Sequence, residues 1–389
     1  MPQYILLRGA KQLLTLRGPS GVRRGADLHD LGIIEDGSVL IRDGTIAAVG
    51  STRRLENLKE ARTALEIPVH GRIVTPGFVD ASLSLKLQRE PEARRPKTAH
   101  DFYEETLGLM RSCLHHGTLA VDVKASSGDE RFRADIPVLR KLAAIGSNPV
   151  RMVRTWRIDR SWQVDNGRVG DFDAAFDVLT RRKLIDSLEF AATADADLSE
   201  PVLAAVEQVQ IAKKLFWAGG QADVLADLLK RLRPHAVCRP SGLQPDEAEL
   251  LGQTPAVVVL GIGKEMFEGA AAQSARQFVE SGGALALSSG YDSRSATTFS
   301  MQMAIALAVV RLGLTAEEAF TAATINAAHA AGCGHLTGSL EFGKQADVLI
   351  LGVNDYREIP RQFGINHVDM VVRQGNIVFN RTRWKAAAP

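Results

Sequence analysis

Eight short apolar runs, each followed by a stretch able to form a helix, fill the middle of this chain: 77–84, 118–124, 150–156, 187–192, 213–217, 235–239, 256–260 and 284–289. Alternation of this kind points to a parallel sheet, because parallel neighbours need a crossover of a dozen or more residues, usually a helix. Eight units in roughly 260 residues match a closed (β/α)8 barrel, whose usual size is about 250. An open doubly wound sheet is the weaker alternative. No Gly-x-Gly-x-x-Gly follows the first run, and GIGKE at Gly261 lacks the spacing of a phosphate loop.

Both ends read differently. SVLIRDGTIAAVG (38–50) places Asp43-Gly44 between two apolar stretches, a strong hairpin signal, and ADVLILG (346–352) and VDMVVRQGNIVFN (368–380) repeat the style with a turn at Gly375. The expected architecture is α/β: a (β/α)8 TIM barrel over 76–340 and a composite β-sandwich built from 1–75 and 341–389. With 47 basic against 45 acidic residues, a net charge of +2 gives no general reason to expect nucleic acid or an anionic membrane as partner. Arg8 and Lys11 interrupt the apolar start, so it reads as neither a signal peptide nor a membrane span, and a cytoplasmic location is expected. Cys113, Cys238 and Cys333 lie far apart and read as buried small hydrophobes, not a zinc cluster or a disulfide framework.

Three stretches carry a family resemblance. RIVTPGFVDASLSL (72–85) resembles the amidohydrolase entry to the first barrel strand, where Pro-Gly-Phe-Val-Asp precedes a His-x-His pair. HGTLAVDVKASSG (116–128) is similar to the second strand of imidazolonepropionase, keeping Val123 and Lys124 but carrying Ser127 at the tyrosine position. The block 300–368 is the longest match. The resemblance implies the barrel and the composite domain, a homodimer, a bound zinc or iron ion, and hydrolysis of a C–N bond in a cyclic amide. Such a metal polarises the carbonyl and makes a bound water nucleophilic near neutral pH.

The implied ligands are absent. Ser82, Leu83 and Ser84 hold the His-x-His triplet, Phe216 and Arg239 stand at the fifth- and sixth-strand histidines, and the third-strand histidine falls near Arg160. Gly290 stands at the metal-binding aspartate of the eighth strand, with Asp292 where an asparagine is expected. Of nine histidines only His235 lies within a proposed strand, near its beginning, whereas barrel active sites sit at the carboxyl ends. No metal cofactor is therefore expected.

Arginine and serine in place of imidazole suit a small anion, since the guanidinium fork matches carboxylate or phosphate. The expected ligand-binding residues are Ser82, Ser84, Arg89, Lys124, Arg157, Arg160, Arg239 and Asp292. Asp80, Lys124 and Asp292 are weak catalytic candidates, and ion pairing with a pocket base is the expected role of Asp80. Arg151, Arg154, Arg157 and Arg160 recur every third residue, as a solvated stripe would, and on a strand they cannot all face one pocket. A buried Asp122–Lys124 pair filling the vacated site is an equal competitor. The expected function is a non-catalytic amidohydrolase relative that binds a small anion or serves a structural role. The alternative is an active hydrolase of C–N bonds using a non-standard site.

Overall fold

A computed structural model of the chain describes residues 3–85, 99–126, 139–145, 150–158, 169–192, 200–239, 243–263, 272–292 and 298–381. All eight predicted runs are strands, their ends displaced by at most two residues: β6 (Phe78–Leu85), β7 (Thr118–Ser126), β8 (Arg151–Ile158), β9 (Ser187–Ala192), β10 (Ala212–Trp217), β11 (Ala236–Arg239), β12 (Val257–Gly261) and β13 (Leu285–Ser288). They pair in parallel and in chain order. The seam between last and first is drawn together by a parallel bridge of Ser84 with Asp292 and by Ser84 N donating to Tyr291 O at 3.0 Å, which removes the open-sheet alternative.

The helices around the barrel form for local reasons. α1 (Val169–Arg181) buries Phe172, Ala175 and Leu179, an i, i+3, i+7 stripe that lays one helix face on the sheet, where Phe172 stacks on Trp156. α2 (Pro245–Gly252) starts with Pro at its first turn and a capping box in which Glu247 reaches back to the N-cap Gln244. A third helix, α3 (Ile325–Ala331), closes the amino-terminal end of the barrel. Its residues Ala327, Ala328, Ala330 and Ala331 pack with Ala120, Val153, Ala236, Val257, Ala284 and Ala286 of the strands. Alanine lets a helix approach a barrel end this closely. The carboxyl ends of the strands remain as the mouth.

The two ends of the chain share one sheet, ordered β16-β15-β14-β5-β1-β2-β3 with β4 beside β1. It draws β1 (Tyr4–Leu14), β2 (Ile33–Arg42), β3 (Thr45–Ser51), β4 (Leu65–Pro68) and β5 (Ile73–Pro76) from the first part, and β14 (Val348–Leu351), β15 (Val368–Arg373) and β16 (Asn376–Asn380) from the last. It has its own apolar core, including Leu7, Leu13, Val39, Ile41, Val348 and Ile350. The strand β1 pairs with β4 along its first half and β5 along its second, switching at a bulge around Gly9. Gly9 has φ +76°, a left-handed backbone that L side chains rarely adopt, which is why glycine sits at the bulge.

Cys113, Cys238 and Cys333 are buried free thiols, as read from the sequence. Among the described residues no helix is long and apolar enough to cross a membrane.

Candidate functional site

Side chains alternate along a strand, so every second residue of the barrel points to its axis. At the carboxyl ends this brings Ser82 and Ser84 of β6, Arg157 of β8, Phe216 of β10, Cys238 of β11 and Asp292 beyond β13 around one cavity of ≈ 80 Å³, and Arg239, of the opposite parity at the last position of β11, also lines it. The guanidinium of Arg157 lies over the Phe216 ring, 4.3 Å from its centroid. Neither Ser82 Oγ nor Ser84 Oγ has a hydrogen-bond partner among the described residues.

Below the cavity lies a closed ion-pair network. Lys124 Nζ sits 2.6 Å from Asp122 Oδ2 and 3.0 Å from Glu189 Oε1, and Lys214 Nζ lies 2.5 Å from the same Asp122 oxygen. Thr155 donates to the other oxygen of Asp122 at 2.5 Å, and Arg157 Nε donates to Glu189. The side chains of Asp122, Glu189 and Lys214 are 0% exposed and that of Lys124 1%, so water screens none of these charges. Burial alone would push both carboxyl groups up. Lys124 and Lys214 outweigh it at Asp122, and Arg157 and Lys124 outweigh it at Glu189, so both stay ionised below the usual carboxylate range. Lys124, between two carboxylates, holds its proton against burial. Lys214 shares a single carboxylate with Lys124, and burial pushes it down.

Arg239 is fixed from a different side. Its guanidinium donates to Glu247 Oε2 at 2.6 Å and to Trp217 O at 3.2 Å, while Glu247 also accepts from the Trp217 indole N–H at 2.7 Å. The carboxylate that starts α2 thereby orients a cavity arginine. Arg239 Nε remains buried with no partner. Cys238 also faces the cavity, but burial and then Glu189 push its thiol up to about 12, which rules out a thiolate nucleophile at neutral pH.

Asp80 departs from the expected ion pairing: no lysine or arginine reaches it among the described residues, and it stitches the barrel seam with neutral groups. Ser288 Oγ lies 2.7 Å from Asp80 Oδ1 and 2.5 Å from the Ser82 carbonyl, and Ser289 Oγ bonds to Asp80 Oδ2. Three oxygen–oxygen contacts share two hydroxyl protons. Asp80 Oδ1 also accepts from the backbone N–H of Ser82 at 3.3 Å and of Ser289 at 3.2 Å, and burial pushes this carboxyl up against the hydrogen bonds that hold it down. A raised carboxyl contributes stability that is complete below its unfolded value near about pH 4 and is lost as pH rises through the folded value. Asparagine reproduces the neutral acid, one donor and one acceptor. Asp80→Asn is therefore expected to change stability by less than about 1 kcal/mol at neutral pH and to gain on wild type as pH rises. Urea unfolding at three pH values measures this; a loss that grows with pH would show that Asp80 is ionised.

The donor set does not fit a divalent metal. Among the described residues no three His, Cys, Asp or Glu side chains converge, and hydroxyl, guanidinium, phenyl and ammonium groups occupy the cavity and its floor. His235 lies just before β11, at the opposite end of the barrel, with its ring against Ala330 O at 3.2 Å.

Of the residues singled out in the sequence, Ser82, Ser84, Arg157, Arg239 and Asp292 come together at the cavity. Lys124 does not line it: its two carboxylate partners hold it in the floor. Arg154 points outward to Asp186, as strand alternation requires, and Arg151, which shares the parity of Arg157, reaches Gln345 from the first position of β8. Arg89 and Arg160, with the neighbouring Lys86, Asp159, Ser127 and Gly128, lie outside the described residues. Sequence reasoning missed Lys214, Glu189 and Glu247. The signal for Lys214 was available, because Phe216 had been assigned inward and residue 214 shares its parity.

Comparison with known proteins agrees with this architecture. Residues 223–378 match the model of the amidohydrolase family. The chain is 28% identical over 421 residues to an imidazolonepropionase of Alkaliphilus metalliredigens, covering 97% of this chain and 99% of that protein. A Geobacillus kaustophilus imidazolonepropionase is 28% identical over 431 residues, covering 97% and 98%. The crystal structure of A. niger ochratoxinase superposes with a TM-score of 0.73 at 15% identity over 98% of this chain and 96% of that one, a likeness of fold.

Proposed function

We propose that this chain, imidazolonepropionase-like in its match to the amidohydrolase family, is a metal-independent relative that binds a small anion and no longer hydrolyses C–N bonds. One observation carries the reading: Lys124, Lys214 and Arg157, locked to Asp122 and Glu189, fill the floor of the barrel beneath the cavity. Metal-assisted hydrolysis needs neutral imidazoles and carboxylates free to coordinate a cation. Here both floor carboxylates are already neutralised by side-chain cations.

A metal-free hydrolase needs a nucleophile within hydrogen-bond reach of a free base. Asp80 and Lys124 do not supply one. Asp80 is engaged by Ser288 and Ser289, and Lys124 by its two carboxylates. With Asp80 and Lys124 committed, Asp292 beside Ser82 and Ser84 in the cavity wall is the one hydrolytic candidate left among the three, and binding is the reading the filled floor supports. A cytoplasmic homodimer belongs to the same reading, and a monomer by sedimentation would remove its dimeric part.

The test is elemental analysis of purified protein soaked in excess Zn²⁺ and Fe²⁺ and then desalted. Traces far below one ion per chain are expected. Stoichiometric retained metal would overturn the proposal and restore ordinary amidohydrolase chemistry.

A further inference from the structure

The floor network of the barrel holds one more cation than carboxylate among the described residues. Lys124, Lys214 and Arg157 meet Asp122 and Glu189, and the side chains of both acids and of Lys214 are sealed from solvent. Arg157 is committed to Glu189, and a guanidinium does not give up its proton. Lys124 stands between both carboxylates. Lys214 reaches only Asp122 Oδ2, at 2.5 Å, and Thr155 Oγ1, at 3.4 Å, among the described residues, and the same carboxylate oxygen already holds Lys124 at 2.6 Å. Two ammonium groups on one buried oxygen repel each other with little screening. A buried charge without its own counter-charge is relieved by loss of its proton, and the burial of Lys214 acts in that sense.

The other titratable groups facing Lys214 do not balance it. Burial pushes His235, just before β11, down to about 4, and pushes the thiols of Cys238 on β11 and Cys333 beyond α3 up to about 12 and about 11. All three are uncharged at neutral and mildly alkaline pH. Above the floor Arg239 is paired with Glu247, and Asp292 stands in the cavity wall, outside the contacts of Lys214.

We propose that the floor is a one-proton switch at Lys214: in the folded chain this ammonium releases its proton to solvent while exposed lysines remain charged, and the network passes from one excess positive charge to neutral. An uncharged amine keeps two N–H groups, so Lys214 stays on Asp122 and the fold is retained. Arg157 belongs to both the network and the cavity wall, so the change in charge is passed to the mouth. The switch needs no ligand and stands apart from the anion-binding reading.

Carbon-13 NMR of the full-length protein labelled at the lysine ε-carbons, followed from about pH 6 to about pH 10, tests this, with Lys214→Met identifying the resonance. The Lys214 signal is expected to reach its uncharged position about one pH unit or more before the exposed lysines. Burial also pushes Lys213 and Lys344 down, so Lys213→Arg and Lys344→Arg, which remove those signals, complete the assignment even where Lys214→Met does not fold. A Lys214 signal that titrates with the exposed lysines, or stays charged until the chain unfolds, would overturn the proposal. Urea unfolding gives a second readout. Because the unfolded chain binds a proton that the folded chain has released, wild type gains on Lys214→Met as pH rises through the transition, by up to about tenfold in the folding equilibrium per pH unit. Asp80, whose contribution runs the other way, is common to both proteins and cancels. Parallel pH profiles for the two proteins would equally defeat the switch.

Discussion

Replacing Asp122 by asparagine is expected to destabilise the protein by about 3–5 kcal/mol, the usual cost of removing one partner from a buried ion pair. Asp122 Oδ2 is the common anchor of Lys124 and Lys214, and Lys124 retains Glu189 whereas Lys214 keeps no carboxylate among the described residues. The cost therefore falls chiefly on Lys214, already pushed down by burial. Adding Lys214→Met removes the stranded charge and leaves an apolar chain of similar length. The double variant is expected to recover more than half of the loss, and a double-mutant cycle from urea unfolding measures the coupling. Two losses that simply add would show that the two side chains do not act as a pair.

The pH dependence follows from the same contacts. Asp122 and Glu189 are held below the ordinary carboxylate range, so their contribution is complete above about pH 4 and is lost as the pH falls below it. Asp122→Asn, having lost one of these groups, should show a shallower fall in stability on the acid side than wild type. Asp80 runs oppositely and penalises the alkaline side.

The fold was legible because every device that makes a barrel is local. Eight apolar runs, the helical stretches between them and the Asp43-Gly44 turn each announce themselves within a dozen residues. The rim residues were legible through parity: once Ser82 and Ser84 were placed inward, β6 had to present them together. The floor was only half legible. Asp122 and Lys124 sit two apart on one strand, so their pairing follows from alternation alone. Glu189 and Lys214 belong to β9 and β10, and their meeting with β7 depends on the register of strands 32 to 92 residues apart. Asp80 was misjudged for a related reason. Its partners Ser288 and Ser289 come from the last strand and exist only where the barrel closes, a contact 208 residues away in sequence.

Restoring the eighth-strand carboxylate by Gly290→Asp is expected to destabilise the protein by about 2–3 kcal/mol without conferring metal retention. Gly290 has φ +68°, and a Cβ built there would lie 3.0 Å from the carbonyl carbon and oxygen of Gly261 on the neighbouring strand. Aspartate tolerates left-handed backbone better than most residues, so the decisive obstacle is Gly261, a strand backbone that cannot rotate aside. The new carboxylate would also enter a wall that already contains Asp292. Adding Ser82→His and Ser84→His supplies two imidazoles on one face, but Phe216 still stands at a third ligand position and Lys124 and Lys214 still occupy the floor. The triple variant is expected to retain no stoichiometric zinc after desalting. Retention of one zinc per chain with stability unchanged would mean that a few substitutions suffice to rebuild the metal site. Failure is the expected result, because the vacated ligand positions have been closed by backbone on one side and by a paired set of cations below.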